Sequence, residues 1–259
     1  MIFSINRKKH QNFIKNFYDD NKIHKKGNFD YFRNKKKVVH GINILLHTLE
    51  KLSRKKILDL RCASAIEVLF HNPIFVDEKI KILIQKSKNL LIINLNNNLK
   101  KKFKIKIFFS NLKLFKKNNN IQNTLINTSN KTLQKNFGSY QKFVNLKHLK
   151  SFTSIEKTLG FDRIISIISL SYLIGKIYPG DNSLFLSCRI KFDDSLLTDY
   201  KYKILKKDTR FNISLISFSG CGLAAELKAH HIIEKFNELD IILSNLKKIK
   251  LINRHKKKF

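Results

Sequence analysis

The chain is short of cysteine, proline, glycine and acid. Of its 259 residues, 3 are Cys, 2 Pro, 8 Gly, 1 Met and none Trp, and 19 are Asp or Glu. Cys62, Cys188 and Cys221 are odd in number and widely spaced, with no CxxC pair. Neither a disulfide framework nor a cysteine zinc site is therefore indicated, and free thiols fit a reducing cytosol. The opening residues MIFSINRKKH hold no apolar run of signal-peptide length. The longest apolar stretch, Ile164 to Gly175, is broken by serines and too short to span a bilayer. These absences lead to the expectation of a cytoplasmic protein with no membrane span.

Against the 19 acids stand 52 Lys and Arg, a formal net charge of +33. Such a balance ordinarily points to nucleic acid or an anionic surface. Composition offers a plainer account. The abundant Lys, Asn, Ile and Phe have AT-rich codons, and the scarce Pro and Gly have GC-rich ones. A biased genome raises lysine without selection for phosphate binding. The cations are mostly dispersed Lys, and no RNP-like or helix-turn-helix pattern occurs. Solvated Lys faces are the better reading, and nucleic acid is disfavoured as a partner. An acidic protein, coenzyme A phosphates or RNA remain the functional alternatives for the charge. A hydrophobic content of 42% is enough to build a core, in one large domain or two ordinary ones.

The apolar spacing predicts a short helix over Gln11 to Tyr18 and a polar loop from Asp20 to Lys37. A buried helix follows, with Ile42, Leu45, Leu46, Leu49 and Leu52 at helical spacing. Strands are predicted over Ala65 to Phe70, Lys79 to Gln85, Leu90 to Leu95 and Lys102 to Phe109, several alternating lysine with apolar residues. The Asn-rich segment 111–136 reads as a linker. The order then repeats. An apolar helix spans Ile164 to Tyr178, and strands cover Leu184 to Phe192, Tyr200 to Leu205, Phe211 to Ser219 and Leu223 to His230. The end of the chain reads as partly helical, with a solvated basic tail.

The segment Asp19-Asp20-Asn21-Lys22-Ile23-His24, followed by His40-Gly41 at the start of the first apolar helix, carries the chemistry. A carboxylate and an imidazole can hold one water between them, which suits addition of water across an activated double bond. Asn21 can fix the loop through its side chain. Gly41 permits close approach of a ligand to an amide at a helix N-terminus, where negative charge is favoured.

Phe17 to His24, then Val38-Val39-His40-Gly41-Ile42, resembles the D-x-N-P-[IL]-H … H-G motif of MaoC-like, (R)-specific enoyl-CoA hydratases. Val68 to Glu78 is similar to the strand after the helix in that family, and Ser169 to Phe185 resembles a second helix and turn without the motif. The resemblance implies an α+β double hot-dog fold, with antiparallel sheets each wrapped around a long central helix. Residues 1–110 would form the half that carries the motif, and 137–259 the half that lacks it. It implies a hydratase/dehydratase interconverting trans-2-enoyl and (R)-3-hydroxyacyl thioesters of coenzyme A or acyl carrier protein. Asp19 and His24 would be catalytic, and Asn21, His40 and Gly41 would bind substrate, with no metal and no cofactor. Acyl carrier protein is the implied protein partner, and a homo-oligomer is left open.

The sequence departs from the motif at Lys22, where the family has Pro, and at Lys26, where it has Asp. Those departures motivate a second reading, a hot-dog protein that binds acyl groups or partners without catalysis. A basic RNA-binding protein is the third. His47, His71, His230 and His231 read as structural or surface residues. Ser169 and Ser171 read as helix-packing serines that could alternatively line a tunnel.

Overall fold

A computed structural model describes residues 1–17, 21–25, 37–97, 100–110, 137–140, 151–195 and 199–232. The predicted linker 111–136 and the basic tail lie outside the described residues.

The first half comprises β1 (Ile2–Phe3), α1 (Arg7–Phe17), a single turn α2 (Lys22–Lys25), α3 (Gly41–Arg54), β2 (Ala63–Phe70), β3 (Ile80–Lys86), β4 (Leu90–Asn97) and β5 (Lys100–Phe109). The second comprises β6 (Phe137–Tyr140), α4 (Thr153–Leu159), α5 (Phe161–Tyr172), β7 (Ser183–Phe192), β8 (Tyr200–Asp208), β9 (Ile213–Gly220) and β10 (Leu223–His231).

The 10 strands among the described residues join one sheet in the order β1-β3-β4-β5-β2-β7-β10-β9-β8-β6. Every pairing is antiparallel. The order reads the same from either edge. In each half the first long strand lies innermost, and the remaining long strands run back towards it from the outside. The halves meet where β2 pairs β7, with Glu67 opposite Arg189 at the centre of the register and their charged ends 3.2 Å apart. Two like halves, each an antiparallel sheet with its own apolar helix, make a double hot-dog, the fold that the resemblance implies; the repeated helix-then-strands order in the sequence is the repeat of these halves.

Alternation places the core. Leu91, Ile93 and Leu95 of β4, Phe103, Ile105 and Ile107 of β5, and Ile216 and Phe218 of β9 point inward and are buried. They pack on Ile42, Leu45, Leu46, Leu49 and Leu52 of α3 and on Ile164, Ile167, Ile168 and Leu170 of α5 in a continuous apolar cluster. On β3 and β8 the same alternation turns Lys81, Lys201 and Lys203 to the outer face of the sheet.

The structure corrects several boundaries. The first helix is Arg7–Phe17, not Gln11 to Tyr18. The loop predicted from Asp20 contains α2. The second apolar helix is α-helical only to Tyr172, and Leu173–Ile177 widens into a π turn whose carbonyl of Leu173 accepts the N–H of Tyr178. Gly175 sits in this turn, and wide turns of this kind recur beside functional sites. Among the described residues no single helix is long and apolar enough to cross a membrane.

Glu50 ties the halves together. Its carboxylate, buried on α3, accepts the N–H of Ser154 at 3.1 Å and of Ile155 at 3.0 Å, at the start of α4, and pairs with Arg54. The α4 N-terminus has no side-chain cap of its own, so Glu50 supplies the negative charge that the helix end favours. Glu50→Ala is expected to cost about 2 kcal/mol and to lower the melting temperature by roughly 4–8 °C at this chain length. Thermal melting followed by circular dichroism measures this. An unchanged melting temperature would remove Glu50 as a tie between the halves.

Candidate functional site

The segment singled out in the sequence folds into a docked turn. Residues 37–39 run beside residues 74–76. Val39 N–H donates to the Ile74 carbonyl at 2.8 Å, and Val76 N–H to that of Lys37 at 3.0 Å. This pairing fixes where α3 begins. Asn21 braces α2 against the second half. Its Nδ2 donates to the Ser183 carbonyl at 3.1 Å, and its Oδ1 accepts from Asn182 N–H at 3.0 Å and Ile23 N–H at 3.2 Å. Ile23 then buries its side chain with Val38 and Ile232 in a small apolar cluster of its own.

His24 follows from this bracing. Its Nδ1 lies 2.9 Å from the Val38 carbonyl oxygen. A carbonyl only accepts, so Nδ1 carries the proton and Nε2 is the basic nitrogen of the neutral ring. His40 stacks on His24 with ring centroids 3.4 Å apart and planes inclined by 29°. Beneath them, His10 of α1 donates from Nε2 to the His24 carbonyl at 3.0 Å. Burial, then the neighbouring His40 and Lys37, pushes the His10 imidazole down to about 4, so it stays neutral at pH 7.

His24 and Gly41 line one cavity of about 160 Å³ between the halves. Phe70, Phe103, Phe185 and Ile174 give it apolar walls. A Cβ on Gly41 would fall on the Phe70 ring, so only glycine lets the start of α3 sit against this wall.

Of the sequence-predicted residues, His24, Asn21 and Gly41 line the cavity together. Asn21 does so with both polar atoms engaged in bracing. His40 is fully buried behind His24 and is not among the lining residues. Asp19 lies outside the described residues. Lining residues that the sequence did not place in the site include Gly175 from the second helical segment, His230 from β10 and His71 from the turn after β2. Ser171 lines it too, in line with its alternative reading as a tunnel residue. Nothing local marks the others, because much of the cavity is made only when the two halves meet. Ser169, by contrast, donates back to the Ile165 carbonyl at 2.9 Å within its own helix.

One wall rests on a buried ion pair. Lys102 Nζ lies 3.0 Å from Glu78 Oε1, with side-chain exposures of 9% and 11%, and donates to the Pro73 carbonyl at 2.9 Å. Glu78 also accepts from Phe75 N–H at 2.8 Å and from the Asn97 amide. Removing one member leaves a buried charge uncompensated. Lys102→Ala is therefore expected to destabilise the chain by about 3 kcal/mol. Urea denaturation measures it, and a change below about 1 kcal/mol would place the pair with ordinary surface ion pairs.

Among the described residues no group of three or more His, Cys, Asp or Glu is arranged to hold a metal ion. No protein-family profile and no curated protein sequence matches the chain. Solved structures do resemble it. A MaoC-like dehydratase superposes with a TM-score of 0.49 at 7% identity, over 89% of this chain and 96% of that one. The tesB protein MAP1729c of Mycobacterium avium subsp. paratuberculosis gives 0.47 at 10% identity, over 76% and 88%. The dehydratase domain of PpsC from Mycobacterium tuberculosis, solved with C12:1-CoA, gives 0.47 at 8% identity, over 76% and 86%. The class the fold defines is the double hot-dog.

Proposed function

We propose that the chain is an acyl-thioester hydratase/dehydratase that interconverts trans-2-enoyl and (R)-3-hydroxyacyl thioesters at the cavity beside His24. The observation that carries this reading is that His24, with its proton fixed on Nδ1, and Gly41, which opens α3, line the same apolar-walled cavity. In hydration, His24 Nε2 takes a proton from water as the water oxygen bonds to C3. Negative charge then builds on the thioester oxygen, where the Gly41 amide at the helix N-terminus favours it. The Asp19–His24 pair returns a proton to C2, and dehydration is the reverse. Asn21 positions His24 rather than touching substrate, and the His40 ring supports it from behind. Coenzyme A or acyl carrier protein is the carrier.

The cavity is smaller than the roughly 300–1,000 Å³ of pockets that hold drug-sized ligands, which favours a short acyl chain. Purified full-length protein is expected to hydrate crotonyl-CoA with a kcat/KM about tenfold or more above that for dodecenoyl-CoA. Loss of the enoyl absorbance measures both. A preference for dodecenoyl-CoA would overturn the size argument. Inertness towards enoyl thioesters of all lengths, on either carrier, would overturn the hydratase reading.

A further inference from the structure

A second cleft runs along α3, from Asn43 in its first turn to Lys55 just past its end. It has a volume of about 510 Å³ and is formed by α1, one face of α3, the start of the chain near Phe3, and residues 151 and 152. Four cations line it: Lys9 from α1, and Lys51, Arg54 and Lys55 from the end of α3. The α3 residues that face it follow helical spacing, with Asn43, His47, Glu50, Lys51 and Arg54 forming a polar stripe along the helix.

Cations at a helix C-terminus offset the helix dipole. That accounts for Lys51, Arg54 and Lys55 but not for Lys9, which comes from another helix. Nor does it account for Asn43. This side chain is fully buried, and neither its Nδ2 nor its Oδ1 has a hydrogen-bond partner among the described residues. An unsatisfied buried amide is uncommon in folded proteins and calls for an explanation. Among the described residues one carboxylate lines the cleft, Glu50; it pairs with Arg54 and accepts from two α4 amides, which leaves Lys9, Lys51 and Lys55 without a carboxylate in the lining.

We propose that this cleft binds a small hydroxyl-bearing organic phosphate. Lys9, Lys51, Arg54 and Lys55 receive the phosphoryl oxygens, and the Asn43 amide receives a hydroxyl of the same molecule. The chemistry follows from the donor set. Four cations suit a dianion. A primary amide offers both a donor and an acceptor, which an alcohol satisfies and a bare phosphate oxygen does not. The cleft volume falls in the range of metabolite pockets. Burial, followed by Lys9 and Arg54, pushes the His47 imidazole down to about 4, so at pH 7 it presents a neutral ring to the ligand.

The test is isothermal titration calorimetry of the full-length protein at low ionic strength, with glycerol 3-phosphate and inorganic phosphate as probes. Saturable one-to-one binding of glycerol 3-phosphate is expected, tighter than that of inorganic phosphate. The exposed double substitution Lys9→Gln/Lys55→Gln is expected to weaken both ligands about tenfold or more. Lys201→Gln/Lys203→Gln, on the outer face of the sheet, is expected to leave both unchanged. Asn43→Leu is expected to reduce glycerol 3-phosphate to the affinity of inorganic phosphate without unfolding the chain, as thermal melting would show. Absence of saturable binding overturns the site. Equal weakening by the two lysine pairs also overturns it, since the overall charge would then be responsible. Equal binding of the two probes, unaffected by Asn43→Leu, overturns the assignment to an organic phosphate. Enoyl-thioester turnover enters none of these readouts.

Discussion

His24→Ala is expected to lower the kcat of enoyl-thioester hydration by about 10³-fold, within the range associated with loss of a general acid–base group, while far-UV circular dichroism stays unchanged. The imidazole belongs to a residue that lines the cavity, and it makes a hydrogen bond to the Val38 carbonyl. The backbone of α2 is held independently. Asn21 fixes it to Ser183 and Asn182, Ile23 buries its side chain, and His10 binds the His24 carbonyl. The fold therefore survives loss of the ring, and a fall in kcat would report chemistry. Asp19→Asn is expected to lower kcat by a similar factor with little change in KM. His40→Phe, which keeps a ring behind His24, is expected to retain most activity. If His24→Ala retained wild-type kcat, the reaction would have to be carried by other cavity residues. If His40→Phe were as damaging as His24→Ala, His40 would be more than a positioning residue.

The second large effect is acid destabilisation. His10 is 1% exposed, and its imidazole is held down to about 4 from an ordinary 6.5, chiefly by burial. The unfolded chain therefore binds a proton there between pH 6.5 and 4 that the folded chain refuses. The stability associated with neutral His10 is present above pH 6.5 and is lost as pH falls towards 4. That interval corresponds to about 3 kcal/mol. His47, pushed down to about 4 by burial, then Lys9 and Arg54, acts in the same direction over the same window. Asp59 and Asp208 are held below the usual carboxylate range mainly by Arg61 and Arg210, so their losses fall below that window. Urea denaturation at a series of pH values should show stability falling from pH 6.5 to 4. His10→Gln, which can still donate to the His24 carbonyl but does not ionise, should flatten that slope. A slope unaltered by His10→Gln would assign the acid sensitivity elsewhere.

Much of the architecture was legible because it rests on periodicity. Strands β4, β5 and β9 bury every second residue, and α3 buries Ile42, Leu45, Leu46, Leu49 and Leu52, so short-range pattern places them. Elements that escaped notice are short or depend on distant partners. The two-residue β1 exists because Ile2 and Phe3 pair with Lys81 and Ile80. Helix α4 starts where Glu50, more than 100 residues away, receives its amides. The second apolar helix widens at Leu173 within an apolar run that reads as continuous helix, so its boundary was misplaced.

The candidate site divides in the same way. The sequence alone supplied the order of a helix followed by strands in each half, and the candidate set Asp19, Asn21, His24, His40 and Gly41 on which the hydratase reading was built. These depend on residue identity and spacing within a few turns of chain. Tertiary structure decided what three of them do. It turned Asn21 into a brace to Ser183, put the His24 proton on Nδ1, and placed His40 behind the His24 ring. It also brought Ser171, Gly175 and His230 from the second half to the cavity wall. These contacts join residues far apart in the chain, and no local propensity encodes them. They arise when the packing of two hydrophobic helices inside one sheet leaves a gap where the halves meet.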